Sequence, residues 1–486
     1  MLKRLPLLLG TALVAVLSFS DASAAPRDPF KQLDDVWPTP DAQRRASGAP
    51  GPGYWQQQAD YVIDVELDEM NNRILGSETI TYHNNSKDTL DYLWMQLDQN
   101  LFDPKMMAHQ SRTTSGLNDQ SFNQFEGLLN AQKFDGGYKI TAVKDAAGKP
   151  LKHVIVQTMM RIIPPQPLKP GGKITFSVDW SFNIIDATKI RSRMGYEFFK
   201  EDKNHLYALA QWFPRMCAYT DVTGWQHKQF LGRGEFTLEV GDYVVRITVP
   251  SDHVVASTGT LMNPEQVLTV DQRQRLEKAK SAEKPQFIVT PEEALANESS
   301  RPDGERTWVF KADQVRDFAF ASSRKFIWDA LQHDVGGTPV MAMSFYPKEG
   351  EPLWSRYSTH AIVHTLNVYS RYTFDYPYPV AISVNGPVGG MEYPMICFNG
   401  PRPEKDGTYS ARTKYGLISV VIHEVGHNWF PMIVNSDERQ WTWMDEGLTT
   451  FMQYVTEQEW EEKYPSRRGK PANIVPYMTS TNQVPI

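Results

Sequence analysis

Two histidines four residues apart, with a glutamate directly after the first, carry the clearest chemistry in the sequence. They stand as His423-Glu424-Val425-Gly426-His427, and Glu446 follows after eighteen intervening residues. On a helix such a pair lies one above the other on a single face, so His423 and His427 can hold one metal between them. Two imidazoles, a carboxylate from elsewhere and one open position describe a catalytic zinc site with one Zn2+ per chain. Glu424 cannot share the histidines' direction and reaches the open position, where a general base for a water belongs. With 11 histidines among 486 residues, the pattern should arise by chance in roughly one or two per cent of chains. A glutamate at one fixed later position cuts that about twentyfold.

The element that must position these groups is apolar. Leu417, Ile418, Val420, Val421, Ile422 and Val425 predict a helix that carries the site into a core. Gly426 inside that helix costs about 1 kcal/mol relative to alanine, and close approach of a neighbouring segment accounts for it. Length predicts two or three domains. A composition of 41% hydrophobic and 22% charged residues is that of a globular protein. The net charge of −7, with no basic block, gives no nucleic-acid footprint.

Residues 1–24 read as a signal peptide. Lys3 and Arg4 form a basic head, Leu5–Phe19 an apolar run, and Ala22-Ser23-Ala24 a cleavage site. The run is shorter than the ~20 residues of a spanning helix. Export to a periplasm or beyond is expected, with no stable membrane span after cleavage. Cys217 and Cys397 are too few for a disulfide scaffold. Pairing is open to them, but the apolar flanks Met395, Ile396 and Phe398 favour two independent buried thiols.

Residues 25–54, rich in Pro, Gly and Ala, read as an extended lead-in. Residues 55–325 read as an all-β domain, an antiparallel sandwich or saddle-shaped sheet. Its strands include YVIDVELD, RILGSETITYH, GKITFSVDWSFNI and DYVVRITVP, punctuated by Gly148-Lys149-Pro150 and Pro170-Gly171-Gly172. A polar stretch at 262–303 reads as a solvated insertion with one surface helix. From residue 326 strands and helices alternate, which makes 326–486 an α/β or α+β domain and the whole chain α+β. His360 and His364 are also four apart, but no glutamate follows His360, and a surface or packing role is expected.

Together these features resemble the aminopeptidase N family of zinc metallopeptidases, within the gluzincins. The resemblance rests on HEVGH with Glu446, on the upstream segment Gly389-Gly390-Met391-Glu392-Tyr393, and on the long β domain before both. It implies a thermolysin-like catalytic domain with His423, His427 and Glu446 as zinc ligands and Glu424 as general base. Glu392 would bind the free α-amino group of a peptide, with Gly389, Gly390 and Met391 along the substrate's path. Tyr393 departs from the family's usual asparagine. Gln211 is the candidate for the glutamine that shapes the first specificity pocket. The family also carries an oxyanion-stabilising tyrosine several dozen residues after the glutamate ligand. Tyr454, Tyr464 and Tyr477 come too soon, so the catalytic domain is expected to be incomplete at its C-terminal end.

The expected function is a secreted or periplasmic zinc aminopeptidase acting on peptides with a free N-terminus. A zinc endopeptidase, or a non-catalytic peptide-binding protein on the same scaffold, are the rivals. Among second-layer partners Asp445, Thr449 and Thr450 are not ranked, and the oligomeric state is not readable.

Overall fold

A computed structural model describes residues 40–107 and 121–466. The expected signal peptide at 1–24, most of the expected lead-in and Tyr477 lie outside them. Residues 40–54 belong to one small unit, in which a bridge between Arg44 and Pro50 closes a turn. The second unit starts at Trp55 and holds everything else discussed below.

Its first half is built on strands that alternate buried and exposed residues. In Gln58–Asp68 the buried set is Ala59, Tyr61, Ile63, Val65 and Leu67; in Gly241–Pro250 it is Gly241, Tyr243, Val245, Ile247 and Val249. A period of two puts each set on one face of a sheet. Seven strands pair in the order Thr260–Leu261, Glu305–Val315, Gly241–Pro250, Gln58–Asp68, Arg73–His83, Lys173–Asn183 and Lys139–Asp145. The expected antiparallel pattern fails at one pair, because Gln58–Asp68 runs parallel to Gly241–Pro250. Two four-stranded sheets and a two-stranded one, Tyr219–Thr220 with Gly224–Trp225, complete this half. A helix at Phe122–Lys133 (α1) interrupts the strands where none was expected.

The polar insertion is more structured than its composition implied. Helices Val270–Ala279 (α2) and Pro291–Ser300 (α3) each begin with a capping box, on Thr269 with Gln272 and on Thr290 with Glu293. Between them Gln286–Val289 pairs with Ile327–Val335. The insertion therefore supplies an outer strand to the sheet of the second half.

That sheet has six strands, in the order Gln286–Val289, Ile327–Val335, Thr338–Tyr346, Val380–Asn385, Ile396–Asn399 and Gly390–Tyr393. The parallel step from Thr338–Tyr346 to Val380–Asn385 is bridged by a long helix, Leu353–Tyr372 (α4). Gly390–Tyr393 is an edge strand. The helix Ala411–Gly426 (α5) carries the histidine motif; Ser410 caps it by accepting from the Thr413 N–H. Leu417, Ile418, Val421, Ile422 and Val425 form its buried face. The last helix is Glu446–Trp460 (α6). Among the described residues no helix is long and apolar enough to cross a membrane.

Gly426 has the explanation its position called for. A Cβ there would lie 2.2 Å from the Tyr369 hydroxyl of α4, so a glycine is what lets the two helices close. The Tyr369 hydroxyl goes on to donate to the Thr449 carbonyl of α6, tying three helices at the level of the motif. His364 of the same α4 donates toward the Thr456 carbonyl and stacks edge-on against Trp460, a packing role. Cys217 and Cys397 are both buried free thiols.

Candidate active site

The chain between the two ligand-bearing helices is pinned at both ends. Asn428, just past α5, accepts from the Met395 N–H at 2.8 Å, which locks the helix end to the turn before Ile396–Asn399. Arg439 reaches into the β-rich half, donating to Gln96 Oε1 at 2.7 Å and to Asp98 at 3.0 Å. Asp98 also pairs with buried Arg215, whose other partner is Asp317. Removing one partner of such a buried set leaves an uncompensated charge. The start of α6 is thus fixed by the other half of the molecule.

These anchors bring three donors together. His423 Nε2 and His427 Nε2 are 3.0 Å apart, and Glu446 Oε2 lies 3.1 Å from the first and 3.9 Å from the second. Ligands around one tetrahedral zinc stand about 3.3 Å from each other, given bonds near 2.0–2.1 Å. The donor set matches the size and chemistry of that ion. Each ring also has its other nitrogen engaged. His423 Nδ1 donates to Gln453 Oε1 at 3.1 Å, because the Gln453 amide nitrogen is already committed to Glu457 and Ser419. His427 Nδ1 donates to the Phe430 carbonyl at 2.8 Å, with Asp445 Oδ1 alongside at 2.8 Å. Both tautomers therefore leave Nε2 free for a metal.

Of the unranked partners, Asp445 and Thr449 stand against His427, Thr449 Oγ1 at 3.3 Å from Nδ1. Gln453 was missed, although it lies seven residues after Glu446, on the same helix face. That spacing was the available signal.

Glu392 and Glu424 complete the group. A ligand oxygen from each lies within 4.8 Å of the other and of a His427 nitrogen. The Glu424 carboxylate rests on the edge strand, where a Cβ on Gly390 would come within 2.5 Å of Oε1. Glycine at 390 is what leaves room for it. Gly389 has open space in front of it. Met391 is wholly buried in the hydrophobic core, so its side chain serves packing and only its main chain is left for a substrate. Tyr393 replaces the expected asparagine with a structural contact, its hydroxyl accepting from the Gln211 N–H at 2.7 Å. Gln211 is thereby held one residue from Glu392, in a left-handed conformation (φ 54°), with its side-chain nitrogen buried and unpartnered among the described residues. Tyr464 is engaged away from this group, its hydroxyl donating to the Tyr415 carbonyl.

The electrostatics favour a cation. Burial pushes the Glu392 carboxyl well above its usual range, although His427 pulls the other way, and Asp445, Glu424 and Glu235 add to the rise. Burial likewise raises Glu424. Burial opposes charge on Glu446, yet the hydrogen bond from His423 and the charges of both histidines hold it down to about 2. Burial disfavours a charged His427, but Asp445, Glu392 and Glu446 outweigh it. A pocket that pulls a proton onto a buried imidazole pulls more strongly on a divalent ion. The Glu446 side chain is 43% exposed while that of His427 is 1% exposed, so the group opens to solvent on the Glu446 side.

A His–His–Glu donor set with a further carboxylate beside it fits the site of a zinc-dependent hydrolase. Residues 357–480 match the model of the peptidase family M1 domain. That stretch, about a quarter of the chain, is similar to the M1 peptidases. No curated protein matches the sequence. An M1 zinc metallopeptidase from Deinococcus radiodurans is similar over 84% of this chain and 72% of its own, at 14% identity and a TM-score of 0.48. A glutamate-to-alanine variant of a two-domain M1 zinc metallopeptidase, bound to L-tryptophan, is similar over 85% and 74%, at 14% identity and a TM-score of 0.49. Such a variant from Deinococcus radiodurans, bound to a Tyr-Ser-Ala substrate, is similar over 84% and 72%, at 14% identity and a TM-score of 0.47.

Proposed function

We propose that this zinc peptidase is an exported aminopeptidase, releasing residues one at a time from the free N-terminus of peptides. The observation that carries the reading is the meeting of Glu392, Glu424 and His427 within 4.8 Å. Zinc held by His423, His427 and Glu446 would supply a Lewis acid that polarises a carbonyl and acidifies water. Glu424 accepts a proton from the water that attacks the scissile carbonyl and returns it to the leaving nitrogen. Its raised proton affinity suits a group that must both take and give. Glu392 binds the substrate's ammonium through charge-assisted hydrogen bonds, which sets the first peptide bond beside Glu424 and refuses chain interiors. The signal-like leader at 1–24 supports export.

The test uses one peptide in two forms, with a free and with an acetylated N-terminus. Acetylation removes the ammonium and leaves Glu392 buried against a neutral amide. Loss of a hydrogen bond to a charged group is worth about 1.5–3 kcal/mol, so kcat/KM should fall by roughly a hundredfold. Equal cleavage of both forms would identify an endopeptidase and remove Glu392 as amine anchor.

A further inference from the structure

The two histidines of the donor set each have an outer partner, and the third ligand has none. Among the described residues the Glu446 carboxylate is hydrogen-bonded only to His423, a neighbour within the same set. Where that carboxylate stands is therefore decided by the main chain that leads into it, and this can be followed back step by step. The Thr449 N–H donates to the Asp445 carbonyl at 3.2 Å, and the Asp445 N–H donates to the Thr442 carbonyl at 3.2 Å. Thr442 Oγ1 donates to the Glu438 carbonyl at 3.0 Å. The run ends on the short helix Glu438–Trp441, where the chain crosses residues 234–236 of the β-rich half. At the crossing the Phe236 N–H donates to Glu438 Oε2 at 3.3 Å.

Arg439 fixes that crossing. Its side chain is 4% exposed, and every nitrogen of its guanidinium is committed. Nε donates to the Gly234 carbonyl at 3.1 Å, Nη1 to the Lys228 carbonyl, and Nη2 to Gln96 Oε1 at 2.7 Å and Asp98 Oδ1 at 3.0 Å. The Phe230 ring lies 5.4 Å from the guanidinium carbon. Asp98 cannot follow the arginine if it moves, because buried Arg215 holds it and is itself held by Asp317. A rigid planar fork spread over four acceptors has one position, which the single nitrogen of a lysine cannot reproduce. Main chain meets main chain here as well. Gly234 has a φ of 79°, and a Cβ on it would lie 2.9 Å from the Arg439 nitrogen and Cα and from the Glu438 carbonyl carbon.

We propose that Arg439 is a positioning residue for the metal: from its anchorage in the β-rich half it sets where Glu446 stands, and so how tightly zinc is held. The proposal rests on the donor set His423, His427 and Glu446 and is independent of the substrate. Zinc affinity is measured on the folded protein by competition with a chromophoric chelator, and the stability of the zinc-free protein by urea unfolding. Arg439→Met should weaken zinc binding by about 10–100-fold, the scale of losing a support outside the ligands themselves. Arg439→Lys should recover little of that loss. Gly234→Ala keeps every charge but pushes on the same main chain, so it should weaken zinc binding too, and it carries the test if Arg439→Met yields no folded protein. Lys325→Met is the comparison. It removes a cation just as buried, bonded to Asp202, Glu298 and Glu349, none of which lies between the zinc ligands. That variant should lower the urea midpoint and leave zinc affinity unchanged. Cobalt in place of zinc should show altered visible bands in Arg439→Met and unaltered ones in Lys325→Met. Unchanged zinc affinity in either site variant that folds, or an equal loss in Lys325→Met, overturns the assignment. Tight zinc binding without hydrolysis of any peptide would sink the aminopeptidase reading and leave the role of Arg439 standing.

Discussion

Glu424→Gln is expected to lower kcat by about 10²–10⁴-fold, the usual contribution of a positioned acid–base group, while the protein keeps its zinc. The amide has the same shape as the carboxylate, so it can rest on Gly390 as Glu424 does, where the clearance for a side chain is set by the glycine. What changes is basicity. Glu424 Oε2 is buried and has no hydrogen-bond partner among the described residues, so it is free to take a proton. The three metal donors lie on other residues, and none depends on the charge at 424 for its orientation. A fall in kcat with little change in KM is the signature of a group used in the transition state. If zinc leaves with the substitution, Glu424 is a ligand; if turnover persists, another group is the base.

The second large effect concerns the metal itself. His427→Ala should lose zinc to a mild chelator that leaves the unmodified protein loaded. The change removes a donor and also strands Asp445, which is buried beside the imidazole. Two comparisons grade the result. Gln453→Ala, which frees His423 Nδ1, should weaken zinc binding by only about 10–100-fold, the scale of losing an outer partner. His364→Ala, in the other histidine pair, should leave zinc binding untouched, since that ring is spent on the Thr456 carbonyl. Metal retention in His427→Ala, or equal loss in His364→Ala, would contradict the donor set.

The motif was legible because its information is local. His423 and His427 are related by helix periodicity alone, and the hydrophobic face of α5 is written in the same few residues. The glycine at 426 advertised a close neighbour, though only the structure names Tyr369. What escaped the sequence was set by contacts between distant segments. Gln286–Val289 sits in a polar stretch and becomes a strand only because Ile327–Val335 offers it an edge. The parallel pairing of Gln58–Asp68 with Gly241–Pro250 leaves no trace in either strand's alternation, which is the same for both orientations. Met391 read as a substrate residue from its place in the motif, yet strand alternation turns it away from Glu392 and into the core.

Zinc K-edge X-ray absorption on the purified native protein tests the central claim most directly. The account predicts one zinc per chain, with two imidazole nitrogens and carboxylate and water oxygens at about 2.0–2.1 Å. A single imidazole in the fitted shell, sulfur scatterers from Cys217 or Cys397, or a protein that hydrolyses peptides at full rate with no zinc bound, would contradict it.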